Sequence, residues 1–322
     1  MSKATAVAHP IQGLIKYHGF KDPKLRIPLH DSISVCTAPF ETRTTVELHT
    51  DLETDVIEVD GRVLNGREHE RAVDVLNEVR HVAKQNMFVY AKSKNNFPSN
   101  IGLGASASGF AALAVATCGA FGLELSARQL SAIARLGAGS ASRAVAGGYA
   151  YWEAGVDHET SIAYQLASGK DFPMGIVIAL IPAYKSTENA HLEAVGSPFM
   201  PCRVAYVKSV IEDMMTAIHN RDFSEVGRLA EQDSFSLHAV TMTGPGNVVH
   251  WQPGTLRVFQ EVRAMRAEGL NCYLSVDTGA TVYINSRPED RDAVEARIQK
   301  LGIETLTCEV GGGAHLVNNH LF

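Results

Sequence analysis

An α+β fold in two lobes is predicted for this chain of 322 residues, and three observations predict it. Strand-like and helix-like patterns are interleaved along the chain without a strict βαβ repeat, which favours a mixed over a doubly wound architecture. Near residue 93 a polar, proline-bearing turn passes two glycines and runs into a helix of small apolar residues. Residues 175–182 (G-I-V-I-A-L-I-P) are a continuous apolar strand stopped by proline. A boundary is expected at 170–190, giving an N-terminal lobe over 1–180 and a C-terminal lobe over 181–322.

Residues 3–8 alternate, 32–37 form a short apolar run, and 42–48 (T-R-T-T-V-E-L) alternate well, so all three read as strands. Asp60-Gly61 marks a hairpin turn between 56–59 and the following residues. Apolar residues at Val73, Val75, Leu76, Val79 and Val82 set a helical period over 66–84, and 87–91 is the strand that feeds the glycine turn. Gly122 ends the helix after that turn, and Ser126 caps a second helix over 127–136. Further helices fit 201–220, 223–236, 254–268 and 289–301. Strands fit 271–275, 280–285 and 304–310, the last leading into Gly311-Gly312-Gly313.

Composition narrows the function. A hydrophobic content of 45% supplies proper cores, and a net charge of −6 argues against a general nucleic-acid or membrane-surface binder, which needs a basic face. No stretch is long and apolar enough to span a bilayer, and the N-terminus lacks a signal peptide's hydrophobic run. Cys36, Cys118, Cys202, Cys272 and Cys308 show no metal or redox spacing and read as thiols of a reducing compartment. A cytoplasmic protein is expected.

Residues 93–114 (S-K-N-N-F-P-S-N-I-G-L-G-A-S-A-S-G-F-A-A-L-A) have the form of an anion site. Glycines let the backbone approach a bound group, and the free N–H groups of the helix's first turn point at it. From the glycines alone, a tight packing loop fits equally well. Lys16, between Ile15 and Tyr17, suits anion binding in a closed site, although its spacing favours a snorkelling surface lysine. Arg143, in a run of small residues, is suited to gripping a carboxylate or phosphate, or to capping a helix end. Asp277, at a strand exit, fits a base held ionised near those cations, while spacing alone favours an ordinary Asp-x-Gly turn.

Taken together these pieces are specific. Pro98-x-x-x-Gly102-Leu103-x-x-Ser106-Ala107 resembles the phosphate loop of the GHMP kinase superfamily, with Ala105 where the first serine usually stands. That resemblance implies ATP and Mg²⁺, with Ser106 as the hydroxyl that meets the metal. Residues 8–19 (A-H-P-I-Q-G-L-I-K-Y-H-G) are similar to the N-terminal signature of the mevalonate diphosphate decarboxylase family, A-P-x-N-I-A-x-x-K-Y-W-G-K. Residues 93–113 resemble its S-x-N-N-F-P-x-x-x-G-L-x-S-S-A-x-G-F-A-A-L, and 134–153 its A-R-x-G-S-G-S-A-x-R-S-x-x-G-G-x-x-x-W-E. Val276 to Ala280 resembles F-D-A-G-P, and residues 309–313 its late glycine motif.

The resemblance implies a two-lobed GHMP fold and an ATP-dependent decarboxylase. Asp277 then assists attack of a tertiary hydroxyl on the γ-phosphate, Lys16 stabilises the charge beside it, and Arg143 holds the substrate carboxylate with Ser140 nearby. Tyr17, His18 and Arg71 fall to the substrate. Ser93, Asn96, Gly102, Gly104, Ser106, Ala107 and Ser108 fall to the nucleotide. Departures point to the substrate: Phe20 replaces the family's second lysine, His18 its tryptophan and Ala138 a serine, although Lys21 stands next to Phe20. Losing a cation and a hydroxyl disfavours a diphosphate tail. The segment also resembles the haloarchaeal and chloroflexi-type branch acting on mevalonate 5-phosphate, which implies isopentenyl phosphate as product. The alternatives are the diphosphate decarboxylase reaction, a mevalonate 3-kinase, and a non-catalytic ATP-binding sensor. A homodimer is expected from the family.

Overall fold

The structure, a computed structural model, describes residues 2–98, 102–183, 191 and 193–322. Residues 99–101 of the glycine turn and 184–190 of the expected boundary lie outside the described residues. In chain order the strands are β1 (Lys3–Ala8), β2 (Ile11–Ile15), β3 (Phe20–Asp22), β4 (Ile27–Pro28), β5 (Ser32–Ala38), β6 (Thr42–His49), β7 (Val56–Val59), β8 (Arg62–Val63), β9 (Phe88–Asn95), β10 (Tyr149–Trp152), β11 (Ala163–Ala167), β12 (Gly175–Ala179), β13 (Cys272–Ser275), β14 (Val282–Ser286), β15 (Thr305–Val310) and β16 (His315–Val317). The α-helices are α1 (Gly66–Ala83), α2 (Ala105–Ala120), α3 (Ala127–Gly137), α4 (Ala141–Ala146), α5 (Met200–His219), α6 (Phe223–Met242), α7 (Pro253–Ala267) and α8 (Arg291–Gln299).

A six-stranded sheet has the order β16-β1-β6-β9-β7-β8. Helix α2 packs on it, and its alanines and glycines let the helix axis sit close to the strands. A second, eight-stranded sheet runs β11-β10-β5-β15-β12-β14-β13, with β2 also paired to β5. One core cluster joins that sheet to α5 and α6, and another packs α7 and α8 against β12 to β14. Strands from both halves of the chain share the second sheet, and β16 returns from the C-terminus to pair antiparallel with β1.

Local chemistry sets the element ends. Ser126 and Gln129 form a reciprocal capping box that starts α3. Strand β9 runs four residues beyond the predicted end at 91, because its polar tail finds partners. Ser93 Oγ pairs with Thr44 Oγ1 at 2.8 Å, and Asp60 accepts from the Asn95 backbone at 2.9 Å. Helix α6 runs past 236 to Met242, carried by buried Leu237, His238, Val240 and Thr241. Strands β10 and β11 went unpredicted, since their sequence reads as small residues and turns. Their fit depends on pairing, β10 with β5 and β11 with β10.

The late glycines have a packing role. Gly148 N–H donates to Gly311 O at 2.9 Å, and Gly147, at φ 73°, lies so close that a Cβ would stand 2.0 Å from Gly313 N. Gly147→Ala therefore meets rigid backbone in a left-handed conformation. It is expected to cost about 3 kcal/mol or more in chemical denaturation. A loss below about 0.5 kcal/mol would mean the contact relaxes freely.

Candidate active site

A cavity of about 510 Å³ opens where β2, the start of α2, α4 and the turn after β13 converge. Its wall carries Lys16, Tyr17, His18, Gly102, Gly104, Ser106, Ala107, Ser140, Arg143, Arg71 and Asp277, all predicted from sequence.

Asp277 leaves β13 and reaches across to β2, where Gly13 N–H donates to its carboxylate at 3.2 Å (Oδ1) and 3.4 Å (Oδ2). Gly13 is obligatory by close approach. A Cβ there would lie 2.7 Å from Lys16 Cγ and 3.0 Å from Asp277 Oδ1. The glycine thus lets the lysine and the acid flank the same point of backbone.

Lys16 is not the surface lysine that its spacing favours. It is only 4% exposed, and its ammonium donates to Ser234 Oγ at 3.0 Å and Ser275 Oγ at 2.9 Å. Burial lowers its pKa from the usual lysine value; Asp233 and Asp277 oppose that shift, and Arg203 adds to it. Arg143 is 3% exposed and lies against the rings of Tyr17 (5.1 Å) and Trp152 (5.4 Å). Its side chain donates to Ser34 Oγ at 3.1 Å and to Ser32 Oγ. No carboxylate among the described residues forms a salt bridge with it, and burial pushes its pKa down to about 10, so it stays charged at neutral pH. A buried guanidinium held by two hydroxyls and two ring faces is a receptor for an anion.

Gly104, at φ 77°, caps α2 with no side-chain bond to the helix's first N–H groups, and no acidic residue sits in the first turn. That leaves a helix start suited to phosphate. Ser106 is exposed on this turn. Tyr283 reaches over from β14 and donates its hydroxyl to Gly102 O at 3.0 Å, tying the glycine turn to the second half of the chain. Among the described residues no group of three His, Cys, Asp or Glu is arranged for a metal ion. The Ser106 hydroxyl beside a phosphate-binding helix start fits a Mg²⁺ ion that takes most of its ligands from phosphate oxygens and water.

Other predicted residues lie outside the cavity wall. Ser93 is committed to Thr44 within the sheet. Ser108, fully buried, bonds Thr42 Oγ1 at 2.6 Å. The Asn96 side chain bridges Pro39 O and Glu41 N at 2.9 and 2.8 Å, shaping the turn. Lys21 is exposed and does not line the cavity.

At the far end the cavity is lined by Phe20, Arg26, Arg67, Arg71 and His191. The His191 ring packs at 4.7 Å from Phe20, 5.2 Å from Tyr17 and 4.9 Å from His18. Its Nδ1 accepts from Gly19 N–H at 3.1 Å, so its neutral tautomer carries the proton on Nε2. Sequence reasoning missed His191, Arg26 and Arg67, which sit on a short helical segment, in a turn and on α1, where nothing local signals a site.

His191 and His30 are both pushed down to about 4, mainly by burial. Their folded values lie below the unfolded one, so the unfolded chain binds protons first as pH falls. Stability is expected to be complete above about pH 6.5 and to decline down to about pH 4. Urea midpoints at pH 7, 5.5 and 4.5 check this, and His191→Gln is expected to flatten the slope. An unchanged slope in that variant would remove His191 from the effect.

Residues 8–163 match the diphosphomevalonate decarboxylase-like N-terminal domain, and residues 182–295 match the mevalonate 5-diphosphate decarboxylase C-terminal domain. The phosphomevalonate decarboxylase of Haloferax volcanii is 46% identical, with 98% of each chain covered. The diphosphomevalonate decarboxylase of Saccharomyces cerevisiae is 30% identical over 89% of this chain and 78% of its own. Among solved structures, MDDEF in complex with MVAPP, AMPPCP and magnesium superposes with TM-score 0.91 at 30% identity, covering 98% of this chain and 99% of that one. Mevalonate diphosphate decarboxylase from Staphylococcus aureus gives TM-score 0.92 at 28% identity, with 98% of both chains covered.

Proposed function

The chain belongs to the mevalonate diphosphate decarboxylase family, and from that premise we propose that it converts mevalonate 5-phosphate and ATP to isopentenyl phosphate, ADP, phosphate and CO₂. The observation that carries the reaction is the meeting of Asp277, Lys16 and Arg143 on one cavity wall beside the start of α2.

In this reading the first turn of α2 and Gly102–Gly104 receive the phosphates of ATP. Arg143 fixes the substrate carboxylate, and Tyr17 and Ser140 flank it. Asp277, oriented by Gly13 N–H, takes the proton of the C3 hydroxyl as its oxygen bonds the γ-phosphorus and ADP leaves. With that O–P bond made, the original C3–O bond breaks and its electron pair leaves with the phosphate, beside the Lys16 ammonium. The bond to the carboxylate breaks, its pair forms the alkene, and CO₂ departs. Mg²⁺ when bound supplies charge neutralisation of the nucleotide phosphates, and Ser106 is the residue placed to meet it. The proposal includes a homodimer in the cytoplasm, on family resemblance alone.

The 5-phosphate is favoured because Phe20 and His191 present an aromatic wall where the family carries a second lysine. One observation supports the diphosphate instead: Arg26, Arg67 and Arg71 all line that end. An ADP-release assay with trapped CO₂, run on mevalonate, its 5-phosphate and its 5-diphosphate, separates the two. We expect kcat/KM at least about tenfold higher for the 5-phosphate, the scale of one charge-assisted contact. Preference for the 5-diphosphate overturns the assignment, and ADP without CO₂ makes the protein a kinase.

A further inference from the structure

Lys16 stands where β2 has left its partner strand. The pairing of β2 with β5 slips between Gly13 and Ile15 and the strand ends at Ile15, so the Lys16 backbone has no ladder to join. Buried backbone groups require partners. A single ion pair supplies both. Asp233 Oδ2, from α6, accepts Lys16 N–H at 2.9 Å, and Arg203 Nη2, from α5, donates to Lys16 O at 2.8 Å. The loop closes on itself, since Arg203 Nη1 and Asp233 Oδ1 stand 2.6 Å apart with both side chains at most 1% exposed. The same Asp233 Oδ2 lies 3.7 Å from Lys16 Nζ.

We propose that the Asp233–Arg203 pair is a positioning device for Lys16, fixing its backbone beyond the strand end and setting the electrostatic surroundings of its amine. The inference rests on the reaction proposed above. Its structural support is independent of the reaction. A buried pair of this kind is weak as a source of stability, because desolvation offsets the attraction. Its value lies in what it grips. Asp233 and Arg203 do not line the cavity, yet between them they satisfy both main-chain groups of Lys16, the one lysine among the described residues that does. The charged groups acting on the amine are Asp233 from α6, Asp277 from the turn after β13, and Arg203 from α5. Asp233 and Asp277 favour the ammonium and Arg203 opposes it, so neutralising Asp233 or Arg203 moves Lys16 in opposite directions.

The experiment measures the Lys16 amine directly, by competitive trace acetylation of the whole protein across pH with peptide mass spectrometry. In parallel it follows the basic limb of kcat/KM. Asp233→Asn removes the favourable charge, so the Lys16 pKa and the basic limb fall by about one unit; Arg203→Met raises both by a similar amount. Arg203→Lys keeps the charge but loses the fork. Its limb stays near the wild-type pH while kcat falls about tenfold, and it serves if the other variants do not fold. A purely structural pair lowers activity or stability in all three variants without moving Lys16, and that result overturns the proposal. Absence of turnover in wild type, with Lys16 still shifting as stated, overturns the reaction and leaves the pair's action on the amine standing.

Discussion

Asp277→Asn is expected to lower kcat by about 10³-fold while leaving the fold and substrate affinity nearly intact. The amide keeps the shape of the carboxylate, and its oxygen still accepts from Gly13 N–H, which holds Asp277 at 3.2 Å in the native protein. What is lost is the capacity to take a proton from the C3 hydroxyl as it attacks phosphorus. The charge opposite Lys16 goes with it. Single-turnover ADP release at saturating ATP reads this step alone. A drop below about tenfold would mean the hydroxyl is ionised by some other group or needs no base. Binding of a mevalonate phosphate within about threefold of wild type is part of the expectation, because an effect on KM rather than kcat would describe a contact with substrate in its ground state.

Arg143→Met is expected to move activity and stability apart. The native guanidinium is buried with two serine hydroxyls and two aromatic faces, and no carboxylate salt bridge among the described residues. Its binding energy is reserved for an incoming anion. Replacing it by methionine removes the grip on the substrate carboxylate, with a fall in kcat/KM of about 10²- to 10³-fold. The same change takes an unneutralised charge out of the interior, so the unliganded protein is expected to stay within about 1 kcal/mol of wild type. Thermal unfolding with and without the mevalonate phosphate tests both statements, since stabilisation by that ligand should shrink sharply in the variant. A variant that loses several kcal/mol yet keeps its KM would make Arg143 a structural residue.

Much of the fold was legible because its signals are local. Alternation in 42–48, the helical period of 66–84 and the Ser126 cap each name an element without knowledge of the rest. Strand β2 carries no such signal. All five of its residues are buried, and its pairing is decided by β5, 18 to 25 positions away. The site divides in the same way. Glycines before α2 announce an anion site through their own backbone chemistry, whereas nothing near Lys16 says that it is buried. That follows from Asp233, Ser234 and Ser275, more than 200 positions distant. One trace existed in α6, where Asp233 interrupts the apolar stripe of Val226, Leu229, Ala230 and Leu237. An acid on the buried face of a helix needs a partner, and here it has two. Ser93, Asn96 and Ser108 show the converse: their motif positions are plain in the sequence, but strands bond the two hydroxyls and the turn at Pro39 and Glu41 bonds the amide.

The hydrogen bond from Gly13 to Asp277 joins positions 264 apart, and β16 closes the first sheet from the end of the chain. On the ribosome, a nascent chain that has emerged only as far as β12 already holds its glycine turn and Arg143, but neither the acid nor the clamp on Lys16. At about 5–20 residues per second the remaining 140 or so positions take on the order of ten seconds. Through that interval β1 lacks its partner β16 and β5 lacks β15, so the glycine turn stands in an unfinished fold. Under the proposed reaction, catalytic competence arrives with the last part of the chain, so a truncated translation product is expected to be inert.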